Sequence, residues 1–134
     1  MVTGLSHVSI AVPSLEHAAT EIAAKLGLTM GKITANEEQG IRLAYVELGN
    51  ARIEFMEPMH PTSPVAKFLE RNPRGGIHHF CLAVDDVDAA VADMAKKGVT
   101  VIGGGKRQVN VHNERIAFIH PKDFLGALVE IEGQ

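Results

Sequence analysis

The chain has 134 residues, 46% of them hydrophobic and 22% charged, which is ordinary for one globular domain with a single core. Its net charge of −3 and its lack of tryptophan argue against a nucleic-acid partner, which needs basic surfaces and aromatic platforms. With no apolar run near the roughly 20 residues that span a bilayer, no signal-peptide pattern and a single cysteine, the sequence predicts a cytoplasmic protein with a small-molecule partner.

The first half of the chain alternates strand and helix patterns. Residues 7–12 alternate as a strand does, and Ser14 follows as the predicted N-cap of a helix. Apolar residues then recur at helical spacing until Gly27, a typical C-cap residue. Further strands are predicted at 28–33, 41–48 and 51–57, with a polar loop at 36–40 and a tight turn at Gly49 and Asn50.

The second half repeats this order after a proline-containing connector, residues 59–76, in which a short helix is predicted at 63–69. Asp86 is the predicted cap of a helix that ends at Gly98. The strands of this half are predicted at 79–84, 99–102, 115–119 and 127–131, with a glycine turn at 103–105.

An internal repeat relates the two halves. His79 aligns with His7, and Gly98 aligns with Gly27 after one residue of slippage. The repeat predicts a single domain over 1–134 with an α+β fold, in which two tandem βαβββ modules form a curled mixed sheet around a metal site. The first module covers about 1–58, the connector 59–76 and the second module about 77–134.

Strand parity brings four potential metal ligands to one side of the predicted sheet. Because alternate side chains of a strand point to opposite faces, the apolar residues pack on helices and the residues between them face inward. A single histidine or glutamate in a strand is more often structural, but four at matching places in a repeat favour a divalent metal. The four inward residues are His7, Glu54, His79 and Glu130.

Two neighbouring residues are weaker candidates by the same parity. His78 points away from the inward face, so we interpret it as structural. Cys81 shares the face of His79 and is either a soft metal ligand or a small buried core residue.

Longer motifs extend this pattern along the chain. They are His7-Val8-Ser9-Ile10-Ala11-Val12-Pro13, Leu48-Gly49-Asn50, Ser63-Pro64-Val65-Ala66-Lys67-Phe68-Leu69, Gly75-Gly76-Ile77-His78-His79, His120-Pro121-Lys122-Asp123 and Leu128-Val129-Glu130. Over essentially the whole chain, the sequence resembles the vicinal oxygen chelate superfamily, also known as the glyoxalase superfamily. The connector motif followed by Gly-Gly-Ile-His-His resembles its methylmalonyl-CoA epimerase family in particular.

The resemblance implies a homodimeric, metal-dependent epimerase that interconverts the (R) and (S) forms of an acyl-CoA, methylmalonyl-CoA, by moving the proton at C2. Glu130 would then be both a ligand and the acid/base for one face of C2. Some family members carry a carboxylate where Leu43 stands here, so the second acid/base is either Glu47, which has the parity of Leu43, or a metal-bound water. The metal would be Co²⁺, or else Zn²⁺, Mn²⁺ or Ni²⁺, and its ligands would be His7, Glu54, His79 and Glu130.

Other functions of the same fold stay open on the sequence. A glyoxalase I-type lactoylglutathione lyase shares the fold, the metal and the enolate chemistry. A metal-free small-molecule or drug-binding protein would lack the four ligands, and an extradiol dioxygenase would use Fe²⁺ in a longer chain. For a CoA substrate, the cations available to the phosphates are Lys67, Arg71, Arg74, Lys106, Arg107 and Lys122.

Overall fold

The computed structural model describes residues 1–103 and 107–133, so most of the predicted glycine turn at 103–105 lies outside the described residues. The described ranges contain nine strands, three α-helices and a short 3-10 turn, and none of these helices has the length and apolar character that crossing a bilayer requires. The strands are β1 (Val2–Ala11), β2 (Thr34–Asn36), β3 (Ile41–Glu47), β4 (Arg52–Pro58), β5 (Gly76–Val84), β6 (Val101–Ile102), β7 (Gln108–Val109), β8 (Arg115–Ile119) and β9 (Val129–Gly133). The helices are α1 (Leu15–Leu26), α2 (Pro64–Arg71) and α3 (Val87–Lys96), and the 3-10 turn is Pro121–Asp123.

The chain divides into two compact units. One consists of Met1–His7 with His79–Gln134, and the other of Val8–His78, so strands β1 and β5 contribute residues to both. The order of helices and strands gives the predicted α+β class. The module boundaries derived from the repeat remain predictions.

In the Val8–His78 unit, the strand order is β2-β3-β4, with the end of β1 beside β4. Strands β3 and β4 form an antiparallel pair that sets Tyr45 opposite Glu54. Helix α1 begins where predicted because the Ser14 hydroxyl accepts a hydrogen bond from the amide of His17 (3.2 Å), and it ends at Gly27, whose φ is 64°. The helix packs into a core whose buried members are Val12, Leu15, Ala18, Val46 and Phe55.

The strand predicted at 28–33 is wrong, because the nearby strand β2 covers only Thr34–Asn36. Apolar residues of the predicted stretch, Met30 among them, pack against the core around α1. A backbone hydrogen bond joins the amide of Gly31 to the carbonyl of Tyr45 (2.8 Å), but the paired ladder with β3 begins at Thr34. The alternation therefore reflects packing on the core and not strand pairing.

In the other unit, the order is β1-β5-β9-β8-β6, and β7 also pairs with β8. Strands β5 and β9 are parallel, with Cys81 paired to Glu130, whereas β8 and β9 are antiparallel, with Phe118 opposite Glu130. Asp86 caps α3 as predicted by accepting a hydrogen bond from the amide of Ala89 (2.9 Å). The buried core of this unit is Val84, Val87, Ala117, Ile119, Val129 and Ile131.

Two strands of this unit start later than predicted. Strand β9 is delayed because Ala127 still belongs to a turn, where its amide donates to the carbonyl of Phe124 (2.9 Å) and Leu125 has a left-handed φ of 55°. Strand β6 is delayed because the amide of Val99 still bonds to the carbonyl of Met94 at the end of α3 (3.0 Å). The two-residue strand β7 lacks a pattern long enough to predict.

Candidate metal centre

Two histidines and a glutamate meet inside the unit formed by Met1–His7 and His79–Gln134. The Nε2 atom of His79 lies 2.9 Å from Oε2 of Glu130, and Nε2 of His7 lies 3.3 Å from the same oxygen. The two imidazole rings stand edge to face with centroids 5.9 Å apart. All three side chains are buried, at 2% exposure for His7 and 5% for each of the others. Within this unit, the structure therefore brings together His7, His79 and Glu130, all of them predicted as ligands.

The charge of this cluster follows from the contacts of Glu130. Burial on its own would raise the pKa of the Glu130 carboxyl, but the interactions with the His7 and His79 imidazoles outweigh burial and lower that pKa to about 2. Glu130 is thus a buried carboxylate at neutral pH. A buried anion is costly without polar or cationic neighbours, and here the neighbours are two imidazole nitrogens.

The His79 ring is held from the side by an aromatic residue. Phe118 of β8 contacts it edge to face, with ring centroids 5.4 Å apart and planes at 80°. Phe118 also lies opposite Glu130 in the pairing of β8 with β9. This one residue therefore contacts His79 and stands across the sheet from Glu130, the two residues joined by the 2.9 Å contact. This role is not predictable from the sequence because the β8–β9 pairing is non-local.

Glu54 belongs to the other unit, on β4, and is also buried, at 7% exposure. Its Oε1 accepts a hydrogen bond from the Ser9 hydroxyl (2.6 Å), and its Oε2 accepts one from the Tyr45 hydroxyl (3.0 Å). The Arg52 guanidinium lies 4.4 Å from the centroid of the Tyr45 ring. Two neutral donors therefore fix the orientation of the Glu54 carboxylate within its own unit.

Near His7 lie Ser6, Cys81 and Glu132, of which strand parity had singled out only Cys81, as a soft metal ligand or a small core residue. The Ser6 hydroxyl donates a hydrogen bond to Oε1 of Glu132 and lies 3.0 Å from Nδ1 of His7. His7, Cys81 and Glu132 are all buried, and one potential ligand atom from each lies within 4.8 Å of the others. Glu132 shares the strand parity of Glu130, and that signal was available in the sequence.

This set of donors fits a divalent transition metal. Imidazole nitrogen and carboxylate oxygen are ligands that Co²⁺, Zn²⁺, Mn²⁺ and Ni²⁺ accept, and a buried thiol lies nearby in Cys81. Glu130 and Glu132 place two carboxylates in the same unit, and a cation would offset their burial. The described residues therefore include a possible metal-binding cluster.

The remaining candidates lie in the Val8–His78 unit. Glu47 is exposed at the end of β3, where it pairs with Arg52. Leu43, two positions before Tyr45 on the same strand face, is buried at 3% exposure. The His78 ring contacts Phe68 of α2, with centroids 5.1 Å apart.

Comparison with known proteins agrees with the predicted family. The sequence profile of the Glyoxalase/Bleomycin resistance protein/Dioxygenase superfamily matches residues 6–118. The chain is 42% identical over 132 residues to the ethylmalonyl-CoA/methylmalonyl-CoA epimerase of Cereibacter sphaeroides, and the match covers 98% of each chain.

Solved structures give the same result. Methylmalonyl-CoA epimerase from Mycobacterium tuberculosis superposes with a TM-score of 0.90 at 36% identity, covering 98% of this chain and 88% of that one. A variant of Streptomyces coelicolor methylmalonyl-CoA epimerase in complex with 2-nitronate-propionyl-CoA superposes with a TM-score of 0.91 at 33% identity, covering 100% and 96%. The predicted fold and resemblance are confirmed, and the chain belongs to the methylmalonyl-CoA epimerase family of the glyoxalase superfamily.

Proposed function

We propose that this enzyme is a metal-dependent epimerase that interconverts the (R) and (S) forms of methylmalonyl-CoA. The observation that carries the proposal is Glu130, a buried carboxylate between two histidine nitrogens in a chain related to epimerases along nearly its whole length. The name of the Cereibacter relative states activity on methylmalonyl-CoA, and the Streptomyces relative was solved with an acyl-CoA analogue. We carry that substrate class over to this chain.

In this proposal four residues hold the metal: His7, Glu54, His79 and Glu130. Glu54 is included for its burial, its two ordering hydroxyl donors and its match to the family motif. A bound divalent ion would act as a Lewis acid for the negative charge that develops on the substrate oxygens, an effect worth several kcal/mol. Co²⁺ is the proposed ion, with Zn²⁺, Mn²⁺ and Ni²⁺ as alternatives.

Glu130 has a second proposed task, the transfer of the C2 proton. The C2–H of methylmalonyl-CoA lies between a thioester carbonyl and a carboxylate, so it is more acidic than an ordinary C–H. Oε2 of Glu130 contacts both imidazoles, and we therefore assign the proton to Oε1. Inversion at carbon removes a proton on one face and returns one on the other, so Glu130 serves a single face.

The second face needs another acid/base. Leu43 cannot transfer a proton, and Glu47 has the same strand parity and an exposed carboxylate. A water at the metal is the alternative. We propose Glu47 first because it is a group whose removal is directly testable.

Binding of the CoA portion requires cationic contacts to its phosphates. Lys67 and Arg71 project from α2 as exposed side chains, and Arg74 is exposed just after it, so these three form the first proposed contact group. Arg107 and Lys122 are exposed in the other unit, while Lys106 lies outside the described residues. A homodimer and a cytoplasmic location remain part of the proposal.

The proposed activity is tested by incubating the metal-loaded protein with each epimer of methylmalonyl-CoA in D₂O. Deuterium should appear at C2, and each epimer should convert to the other. Methylglyoxal with glutathione serves as the parallel substrate for the glyoxalase I-type alternative. Turnover of that mixture without C2 exchange of methylmalonyl-CoA would replace the proposed function with the alternative, and a metal-free protein that only binds ligands would favour the drug-binding alternative.

A further inference from the structure

The two ring nitrogens of His7 have different neighbours. Nε2 lies 3.3 Å from Oε2 of Glu130, and Nδ1 lies 3.0 Å from the hydroxyl oxygen of Ser6. That hydroxyl donates to Oε1 of Glu132 on β9. The three side chains thus form a chain of contacts on the side of His7 that faces away from Glu130.

The direction of the Ser6 hydrogen bond places a proton on Nδ1 of His7. A serine hydroxyl has one proton, and here that proton is donated to Oε1 of Glu132. In its 3.0 Å contact with Nδ1 of His7, the Ser6 oxygen then accepts a hydrogen bond from the Nδ1–H group. With the proton on Nδ1, the nitrogen left to bind a metal is Nε2, on the Glu130 side, and metal binding releases any proton that Nε2 carries.

We infer that Ser6 and Glu132 are positioning residues that hold His7 in its Nδ1–H form and so present Nε2 as a ligand to the proposed metal. The inference rests on the metal site of the proposed function. Metal-binding histidines are commonly ordered in this way by a carboxylate or another acceptor at the second ring nitrogen, and losing such a partner costs about 10- to 100-fold in metal affinity.

Burial supports this assignment. Glu132 is 7% exposed and His7 is 2% exposed, so neither group is freely hydrated, and the Ser6 hydroxyl that joins them is partly buried. A buried carboxylate is costly unless it is hydrogen-bonded, and the Ser6 hydroxyl supplies such a hydrogen bond to Glu132. A carboxylate linked in this way to the second ring nitrogen also raises the electron density on the His7 ring.

The affinity test uses Ser6→Ala, Ser6→Thr and Glu132→Gln, measured by Zn²⁺ competition with a chelator. We expect Ser6→Ala and Glu132→Gln each to weaken Zn²⁺ binding by about 10- to 100-fold, the double variant to lose no more than the worse single one, and Ser6→Thr to restore binding. Thr3→Val is the matched control, because Thr3 lies on the same strand and its hydroxyl donates to the carbonyl of Ala83 (3.2 Å), away from His7.

A spectroscopic test separates positioning from simple loss of structure. In the Zn²⁺-loaded protein, the His7 Nδ1 proton should be observed by ¹⁵N-edited NMR and should exchange slowly with water in the wild type and in Ser6→Thr, but rapidly in Ser6→Ala. In the Co²⁺-loaded protein, Glu132→Gln should leave the absorption band positions unchanged, because the ligand set is the same.

Three results would overturn the inference. They are Zn²⁺ binding in Ser6→Ala as tight as in the wild type, a His7 ring protonated at Nε2 in the Zn²⁺-loaded wild type, and a shifted Co²⁺ spectrum in Glu132→Gln, which would make Glu132 a ligand. A wild-type protein that binds no divalent metal would instead contradict the proposed function, so the two failures are distinguishable.

Discussion

The Nε2 atom of His79 lies 2.9 Å from Oε2 of Glu130, although the two residues are 51 positions apart in the sequence. The parallel pairing of β5 with β9 makes this contact, because it sets Cys81 opposite Glu130 with His79 two residues earlier on the same strand face. A register shift of one residue would turn either side chain to the other face and break the contact. The chemistry of the site therefore depends on the register of these two strands.

Removing either histidine of the cluster should abolish metal binding and activity together. His7→Ala and His79→Ala each delete an imidazole that contacts Glu130, and they leave the buried carboxylate with fewer polar neighbours. Bound metal and epimerase rate are measured on the same samples.

The matched control for those variants is His78→Ala, whose ring contacts Phe68 instead. It should keep both the metal and most of the activity. If His78→Ala loses the metal and His79→Ala retains it, the assignment of faces along β5 is off by one residue.

Glu130→Gln should separate metal binding from proton transfer. The amide oxygen of glutamine still accepts hydrogen bonds and binds metals, but it does not take up a proton. We expect the variant to retain metal and to lose C2–H exchange by about 10²- to 10⁴-fold on at least one face. Exchange at the wild-type rate for both epimers, with the metal in place, would leave Glu130 as a ligand only.

Glu47→Gln tests the second face of C2. If Glu47 is the partner acid/base, the variant should lose exchange for one epimer and retain it for the other, because each face is served by one group. Glu38→Gln is the control, since Glu38 is also exposed and sits in the turn before β3. If Glu47→Gln exchanges both epimers at the wild-type rate, the second proton is assigned to a water.

Gly75→Ala tests a close backbone contact between the connector and β1. Gly75 has a φ of 97°, and an added Cβ would lie 2.6 Å from the carbonyl oxygen of Ala11. Both strain and overlap oppose the substitution, so we expect a loss of about 1–3 kcal/mol in the free energy of unfolding.

Gly27→Ala is the matched control in the same unit. Gly27 has a φ of 64° but no atom within 4 Å of an added Cβ, so it reports the conformational cost alone. Urea unfolding of both variants gives the comparison. If Gly75→Ala is no less stable than Gly27→Ala, the backbone at Ala11 shifts to accommodate the added Cβ at little energetic cost.

The elements with local signals were predictable from the sequence. Ser14 and Gly27 mark the ends of α1, and Asp86 marks the start of α3, because a cap depends on atoms within a few residues. The strand predicted at 28–33 does not form, because alternating apolar residues indicate which side chains are buried but not whether the backbone pairs with another strand.

The candidate site was predictable only where strand parity decides it. Parity selected His7, Glu54, His79 and Glu130, and within one unit the structure brings His7, His79 and Glu130 into contact. The contacts of Ser6 and Phe118 depend on side chains that meet across different strands, so no pattern within one strand reveals them.

The most direct test of the account is a metal titration of the stripped protein with C2–H exchange of methylmalonyl-CoA in D₂O as the readout. Exchange should be absent without metal and should rise in proportion to added Co²⁺ until one ion is bound per chain. His79→Ala, titrated in parallel, should show neither binding nor exchange. Full C2–H exchange by protein that is free of metal would contradict the account.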